Sequence, residues 1–163
     1  MGEPAAAREN VKRFLLHVAW HEGAKIKARL QFNGGPGRSF YQFEAPRAFN
    51  ACEYADRKGA LAKLAATTDR TESDVRAGYK AISGTSWPST NKTIESCLVG
   101  FDFFATYAIR YVLIKVPAPI PAGNDAHAAY WADHWKVSFP NGDRDAQIKR
   151  FKAAADAVDA FPV

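Results

Sequence analysis

The chain is poor in the residues that crosslink small proteins, because only two of its 163 residues are cysteines. Cys52 and Cys97 lie in apolar segments and lack the spacing of a zinc site. We therefore predict that both are buried free thiols in a protein made in a reducing compartment. We expect no disulfide scaffold, no metal and no other cofactor.

Two further absences narrow the class of protein. The first ten residues hold no basic stretch followed by an apolar one, so the sequence predicts no secretory signal peptide. The most apolar stretch, residues 93–115, is interrupted by Glu95, Asp102 and Arg110. Since a charge at the centre of a bilayer costs roughly 2.5–3.5 kcal/mol, we expect no stable membrane insertion.

The charge balance is moderately basic, with 22 Lys and Arg against 17 Asp and Glu and a net charge of +5. This balance favours encounters with anionic polymers such as nucleic acid, anionic lipid or the bacterial cell wall. The basic residues are scattered and form no dense arm, which argues against nucleic acid as a partner. An enzyme that acts on a different anionic polymer fits the pattern better.

Apolar residues recur at helical spacing through most of the chain, and strand-like alternation is almost absent. The sequence therefore predicts a mostly α fold with at most a small loop or hairpin near the glycine cluster of residues 33–37. A central buried helix is predicted over residues 93–115, and a capping box at residues 71–74 opens another helix. The length permits one compact domain, residues 1–163, of which residues 1–8 are expected to be flexible.

At the end of the first predicted helix, an acidic residue lies on the face that is otherwise apolar. Val11 and Val18 mark its apolar face, Glu22 continues nearly the same line, and Gly23 ends the helix. Burial disfavours a charged carboxylate, and the C-terminal end of a helix dipole acts in the same direction, which predicts a raised pKa for Glu22. A carboxylic acid that keeps its proton can protonate the leaving oxygen of a glycosidic bond. The alternative is a solvent-exposed Glu22, or one paired with Lys25 or Arg29.

The end of this helix and the glycine-rich segment after it resemble the corresponding segments of a known protein family. The residues His21, Glu22 and Gly23, followed by Gly-Pro-Gly-Arg-Ser-Phe-Tyr-Gln-Phe-Glu at 35–44, resemble a family of phage-encoded lysozyme-like proteins that are similar to lytic transglycosylases. In those enzymes a catalytic Glu ends a helix, and a Gly-Leu-Met-Gln loop lies across the substrate groove. Residues 39–42 stand in the place of that loop.

The match of the loop is not complete. The family's version reads Gly-Pro-Ala-Arg-Gly-Phe-Trp-Gln-Phe-Glu, and this chain departs from it at Gly37, Ser39 and Tyr41. Ser39 in place of glycine is the departure expected to change the loop most. The resemblance continues through the proline-rich residues 117–122 and a segment with Trp131 and Trp135, and so covers most of the chain.

The resemblance implies a lysozyme-like fold and a peptidoglycan substrate, with Glu22 as the catalytic acid on the β-1,4 bond between N-acetylmuramic acid and N-acetylglucosamine. A lytic transglycosylase would then use Glu22 as a base on the muramic 6-hydroxyl and release a 1,6-anhydro product, whereas a muramidase would activate water. The chain has no convincing counterpart of the Ala-Tyr-Asn motif of classical transglycosylases. The choice between the two reactions therefore stays open.

Further side chains near this acid are candidates for binding the substrate: Trp20, Ser39, Tyr41, Gln42 and Glu44. Gln42 would orient a sugar by hydrogen bonds, Tyr41 would offer a stacking face, and Trp20 would line the groove. Glu44 is the nearest second carboxylate, which would favour hydrolysis. The alternatives are a core position for the Tyr41 ring and a capping or pairing role for Glu44.

Two histidine pairs stand at helical spacing, His17 with His21 and His127 with His134. Two nitrogens on one helix do not make a metal site without further ligands. We therefore interpret both pairs as solvated histidine faces.

Two other classes of function remain open on the sequence. A catalytically silent structural protein could keep a lysozyme-like scaffold in the virion, with virion components as its partners. A basic helical module would instead bind nucleic acid. Under the enzymatic interpretation, the protein is made in the host cytoplasm, is either carried in the virion or free, and acts on the cell wall.

Overall fold

The computed structural model of the chain describes residues 5–23, 25, 37–60, 62, 71–84, 91–100, 102–136, 139 and 143–161. Most of them are helical, which confirms the predicted mostly α class. The elements in chain order are α1 (Ala5–Glu22), β1 (Gly37–Arg38), β2 (Phe43–Glu44), α2 (Ala45–Arg57), α3 (Glu72–Ser83), α4 (Asn91–Gly100), α5 (Asp102–Ile114), α6 (Asn124–Tyr130), a π-helical turn (Trp131–Trp135) and α7 (Arg144–Asp159).

The chain divides into two compact units, which are described separately here. The first contains Met1–Ile26 and Val116–Val163, and the second is Lys27–Lys115. The single domain of residues 1–163 stays a prediction. Helix α1 begins at Ala5, so residues 5–8 of the segment that we expected to be flexible are helical.

The first unit is built on the packing of α1 and α6 against α7. Phe14 and Val18 of α1 are fully buried, as their helical spacing predicts, and Phe151 of α7 is fully buried as well. The Phe14 ring meets Tyr130 edge-on, with ring centroids 5.4 Å apart. Trp131 and Trp135 are also buried, and they lie at the two ends of the π-helical turn.

The proline-rich residues 116–123, a connector at the start of the second segment of the first unit, form no helix or strand. Their carbonyl groups are bound by neighbouring side chains of the first unit. Asn10 donates through Nδ2 to the carbonyl oxygens of Ile120 and Pro121, at 2.7 and 2.6 Å. The Tyr130 hydroxyl donates to the carbonyl of Ala118 at 3.1 Å. The connector is therefore held in place by side-chain donors on α1 and α6.

The second unit consists of the β1–β2 hairpin and helices α2–α5. The predicted capping box is confirmed, because Thr71 Oγ1 accepts from the Asp74 backbone N–H at 3.1 Å and the Thr71 N–H donates to Asp74 Oδ2 at 2.7 Å. Cys52 and Cys97 are buried free thiols, as predicted. Burial raises the pKa of the Cys52 thiol, which suits a core residue.

The single central helix predicted over residues 93–115 is wrong. The segment forms two helices, α4 ending at Gly100 and α5 beginning at Asp102. Glycine is a poor helix former, and an Asp in the first turn favours a helix start. The apolar residues on both sides of this break hide it from a search for helical periodicity. Leu98 and Tyr107 are both buried, so both helices contribute to the core of the second unit.

The β1–β2 hairpin is the only sheet among the described residues, and it confirms the small hairpin predicted near the glycine cluster. Gly37 pairs with Glu44 and Arg38 with Phe43, antiparallel. Residues 33–36 of the cluster lie outside the described residues. Within the described part of the chain, no single helix is long and apolar enough to cross a membrane.

Candidate active site

Glu22 is the last residue of α1, as the sequence predicts. The helix closes just beyond it, where the backbone N–H of Gly23 donates to the carbonyl of Ala19 at 2.9 Å. The Glu22 side chain is half-buried. Its Oε1 accepts a hydrogen bond from the indole Nε1–H of Trp131, at 3.1 Å. The carboxyl group is therefore anchored on one oxygen by a side chain 109 residues away in sequence.

Trp131 is held rigidly where it makes this bond. It opens the π-helical turn, which the Lys136 backbone N–H closes by donating to the Trp131 carbonyl at 3.0 Å. Its ring is fully buried and stacks on Phe151, with centroids 5.0 Å and planes 27° apart. The His21 ring meets it edge-on at 4.9 Å. Isolated π-helical turns within helices are frequent at functional sites.

The surroundings of Glu22 favour its protonated form. Burial raises the pKa of Glu22, and this effect outweighs the opposing charge of Lys136 and the hydrogen bond from Trp131. Lys136 lies beside the same indole, with its Nζ 5.9 Å from the ring centroid. Burial beside the cationic Lys136 and Arg150 lowers the pKa of His21 to about 4. His21 is therefore neutral at neutral pH and does not stabilise a charged Glu22.

The other predicted site residue of the first unit, Trp20, is half-buried next to Glu22 in sequence. Its ring packs against Phe161, with centroids 5.3 Å apart and planes inclined by 57°. Phe161 is itself 60% exposed. Trp20 thus belongs to an apolar surface of α1 and the end of α7.

The remaining predicted residues lie in the hairpin of the second unit. Ser39 is fully buried and adopts a left-handed backbone, with φ of 63°. This is the conformation that glycine adopts most readily. The Ser39 hydroxyl oxygen accepts from the backbone N–H of Tyr41 at 3.3 Å, which stabilises the turn.

Gln42 closes the same turn. Its backbone N–H and its side-chain Nε2 both donate to the Ser39 carbonyl, at 3.2 and 3.0 Å. A Cβ at Gly37 would lie 3.0 Å from Gln42 Oε1. Gly37 therefore lets the glutamine side chain fold back over the strand. The side-chain amide nitrogen of Gln42 therefore forms a hydrogen bond within the turn.

The structure favours the core position for Tyr41, and it shows no capping bond from the Glu44 side chain. The Tyr41 ring is buried at 8% exposure, and its hydroxyl is 3.1 Å from Thr106 Oγ1 on α5. Burial raises the pKa of Tyr41, so the phenol is a core group. Glu44 is exposed at the start of α2 and makes no side-chain capping bond. Arg47 stands near it, with its guanidinium 5.5 Å from the Phe43 ring centroid.

The solvated histidine faces are a wrong prediction. His17 and His127 are fully buried, and their Nδ1 atoms lie 3.0 Å apart. On the far sides of the pair, His17 Nε2 is 3.3 Å from Asp159 Oδ1 and His127 Nε2 is 3.1 Å from Asn10 Oδ1. We call these four residues the histidine network. Its partners are more than 100 positions apart in sequence, so local spacing could not reveal them.

The sequence pattern does not predict Trp131 and Lys136 as neighbours of Glu22. The Trp131 ring is buried, and its N–H donates to Glu22. A buried tryptophan needs an acceptor for that group. Among the described residues, no group of three or more His, Cys, Asp or Glu side chains is arranged to hold a metal ion.

Comparison of the chain with protein-family models, with curated proteins and with solved structures finds no match.

Proposed function

We propose that the protein is a peptidoglycan-degrading glycosidase, a lytic transglycosylase or a muramidase, with Glu22 as its acid and base. The observation that carries this proposal is the half-buried Glu22 carboxyl at the end of α1, bound by an indole N–H and favoured in its protonated form. The resemblance of residues 21–23 and 35–44 to lysozyme-like phage proteins names the substrate. The basic net charge suits the anionic cell wall.

The proposed chemistry needs one proton at the right place. Glu22 protonates the glycosidic oxygen as its bond to the muramic carbon breaks, and the resulting carboxylate then takes the proton of the nucleophile whose oxygen bonds to that carbon. That nucleophile is the muramic 6-hydroxyl in a transglycosylase or water in a muramidase. A carboxyl group with a raised pKa is suited to the first step, because at any given pH a larger fraction of it holds its proton.

The test is the lysis of purified peptidoglycan, followed as a fall in turbidity. Glu22→Gln keeps an acceptor for the Trp131 indole but cannot release a proton, so we expect lysis to fall about 100- to 10,000-fold. Glu53→Gln, the same change at an exposed carboxylate on α2, is the matched control and should lyse like the wild type. Absence of lysis by the wild type, or full lysis by Glu22→Gln, would contradict the proposal. The first result would favour the silent structural protein of the virion.

A further inference from the structure

The two carboxyl oxygens of Glu22 differ in their hydrogen bonds among the described residues. Oε1 accepts from the Trp131 indole, and no other hydrogen bond to this carboxyl group is found among the described residues. In a neutral carboxylic acid the carbonyl oxygen is the better acceptor and the other oxygen carries the hydrogen. The indole N–H is a donor only. The bond from Trp131 therefore distinguishes the two oxygens.

Trp131 cannot easily turn its N–H elsewhere. The indole is stacked on Phe151 and met edge-on by His21, and its backbone is fixed by the π-helical turn. A buried indole N–H without an acceptor costs about 1–3 kcal/mol. The ring and the carboxyl group therefore hold each other in one orientation.

We propose that Trp131 is a positioning residue that fixes the Glu22 carboxyl through Oε1, so that Oε2 carries the proton transferred to the glycosidic oxygen. This inference rests on the proposed function. In the transfer, the Oε2–H bond breaks, the hydrogen binds the glycosidic oxygen, and the indole bond stabilises the carboxylate that remains. Trp131 itself neither gains nor loses a proton.

Two neighbours of Glu22 should have different effects, which makes the role of Trp131 measurable. Trp131 both orients the carboxyl group and stabilises its charged form, whereas Lys136 acts on it through charge. Removal of either should raise the pKa of Glu22 and move the alkaline limb of the pH–rate profile to higher pH. Only loss of Trp131 should also lower the maximal rate.

The experiment compares the pH profiles of lysis for Trp131→Phe, Lys136→Met and Trp135→Phe. For Trp131→Phe we expect an alkaline limb at higher pH and a maximal rate reduced about 10- to 100-fold. For Lys136→Met we expect the shifted limb with a nearly unchanged maximum. Trp135→Phe makes the same chemical change at the other end of the π-helical turn and should alter neither. An unshifted profile with an unchanged maximum in Trp131→Phe would overturn the proposal.

A second measurement tests the Trp131–Glu22 contact that carries the inference, even if the protein lyses no peptidoglycan or Trp131→Phe does not fold. In ¹⁵N-labelled wild-type protein, the Trp131 indole N–H resonance should shift with pH as Glu22 titrates, and Glu22→Gln should abolish that titration. A Trp131 resonance that titrates identically in both proteins, or in neither, would overturn the inference. Failure of lysis with a Glu22-dependent titration would instead remove the proposed function and leave the hydrogen bond established.

Discussion

Helix α1 carries a titratable side chain in its middle, His17, and another at its end, Glu22, and the two differ in burial and in their polar contacts. At the end, Glu22 is half-buried, receives one donor and favours its protonated form. In the middle, His17 is fully buried and is contacted at both ring nitrogens. One Glu22 oxygen has no hydrogen bond among the described residues, whereas the ring nitrogens of the histidine network lie against one another and against Asp159 and Asn10. Burial of a titratable group is therefore not enough to mark a catalytic site.

The hydrogen bonds of the histidine network show why it is structural. Asn10 Nδ2 donates to the connector, so Asn10 Oδ1 faces His127 and requires a hydrogen on His127 Nε2. A neutral His127 then accepts at Nδ1 from the Nδ1–H of His17. The remaining nitrogen, His17 Nε2, lies 3.3 Å from Asp159 Oδ1 and donates to it only when His17 is protonated. The network thereby joins α1, α6 and α7.

The charges around the histidine network set its response to acid. Burial lowers the pKa of His17 and lowers that of His127 to about 4; Asp159 and Asp156 oppose the effect on His17, while Arg13 strengthens it. The Pro121 carbonyl opposes the effect on His127. Burial also raises the pKa of Asp159, but hydrogen bonds led by that from Arg13 outweigh this and lower it to about 2. Asp159 therefore stays a carboxylate throughout the range in which the histidines titrate.

Of the substitutions considered, His17→Ala should cause the largest loss of stability. A small loss would contradict the structural role of the histidine network. The substitution leaves a buried cavity and leaves His127 without its ring partner, so we expect the free energy of unfolding to fall by about 3 kcal/mol. Urea denaturation at pH 7 measures this loss. Lysis per folded molecule should be retained, because the histidine network takes no part in the reaction. A loss below about 1 kcal/mol, or abolished lysis by folded protein, would contradict the structural role.

In the hairpin, the polar groups of Ser39 and Gln42 also form hydrogen bonds within the protein. Substitutions of Ser39 test the left-handed turn that these bonds stabilise. Because Ser39 has φ of 63°, a left-handed backbone that costs non-glycine residues about 1–2 kcal/mol, Ser39→Gly should be more stable than Ser39→Ala by about 1 kcal/mol. Both variants lose the bond to the Tyr41 N–H, so the pair isolates the backbone effect. Thermal unfolding of the two variants measures it. Equal stability, or a more stable alanine variant, would refute the left-handed turn.

The smallest expected effect is on how stability depends on pH, and it has opposite signs for Glu22 and for His127. Because the folded pKa of Glu22 is raised above its ordinary value of 4.5, its contribution to stability falls as pH rises through the folded pKa. The lowered pKa of His127, about 4 against an ordinary 6.5, makes stability fall as pH drops from about 6.5 to about 4.

Glu22→Gln should therefore unfold at a higher temperature than the wild type at pH 7, and the two should converge near pH 3. We expect a gain below about 1 kcal/mol, since the half-buried carboxyl group is still partly hydrated. Thermal melts at both pH values test this, with Glu53→Gln as the control that should not differ from the wild type. A Glu22→Gln protein that is less stable at pH 7 would show that the charged carboxylate stabilises the fold.

Local sequence pattern predicted the parts of the molecule that depend on near neighbours. The apolar face of α1, the position of Glu22 at its end and the capping box at Thr71 all follow from residues within a few turns of each other. The break between α4 and α5 was missed because the apolar residues on both sides of Gly100 hide the end of a helix.

The missed parts of the site depend on contacts across the chain. Trp131 meets Glu22 from 109 residues away, and His17 meets Asp159 from 142 residues away. Helical spacing cannot report such pairs. A count of donors and acceptors could have raised the question of an acceptor for the Trp131 N–H, but not which residue supplies it. The internal bonding of Ser39 and Gln42 depends on backbone angles that the loop's composition only suggests.

The most direct test of the central claim is mass spectrometry of the soluble fragments released from purified peptidoglycan. The wild-type protein should release disaccharide-containing muropeptides, with 1,6-anhydro ends for a transglycosylase or reducing ends for a muramidase, and Glu22→Gln should release almost none. The absence of such fragments with the wild type, or an equal yield from folded Glu22→Gln, would contradict the account.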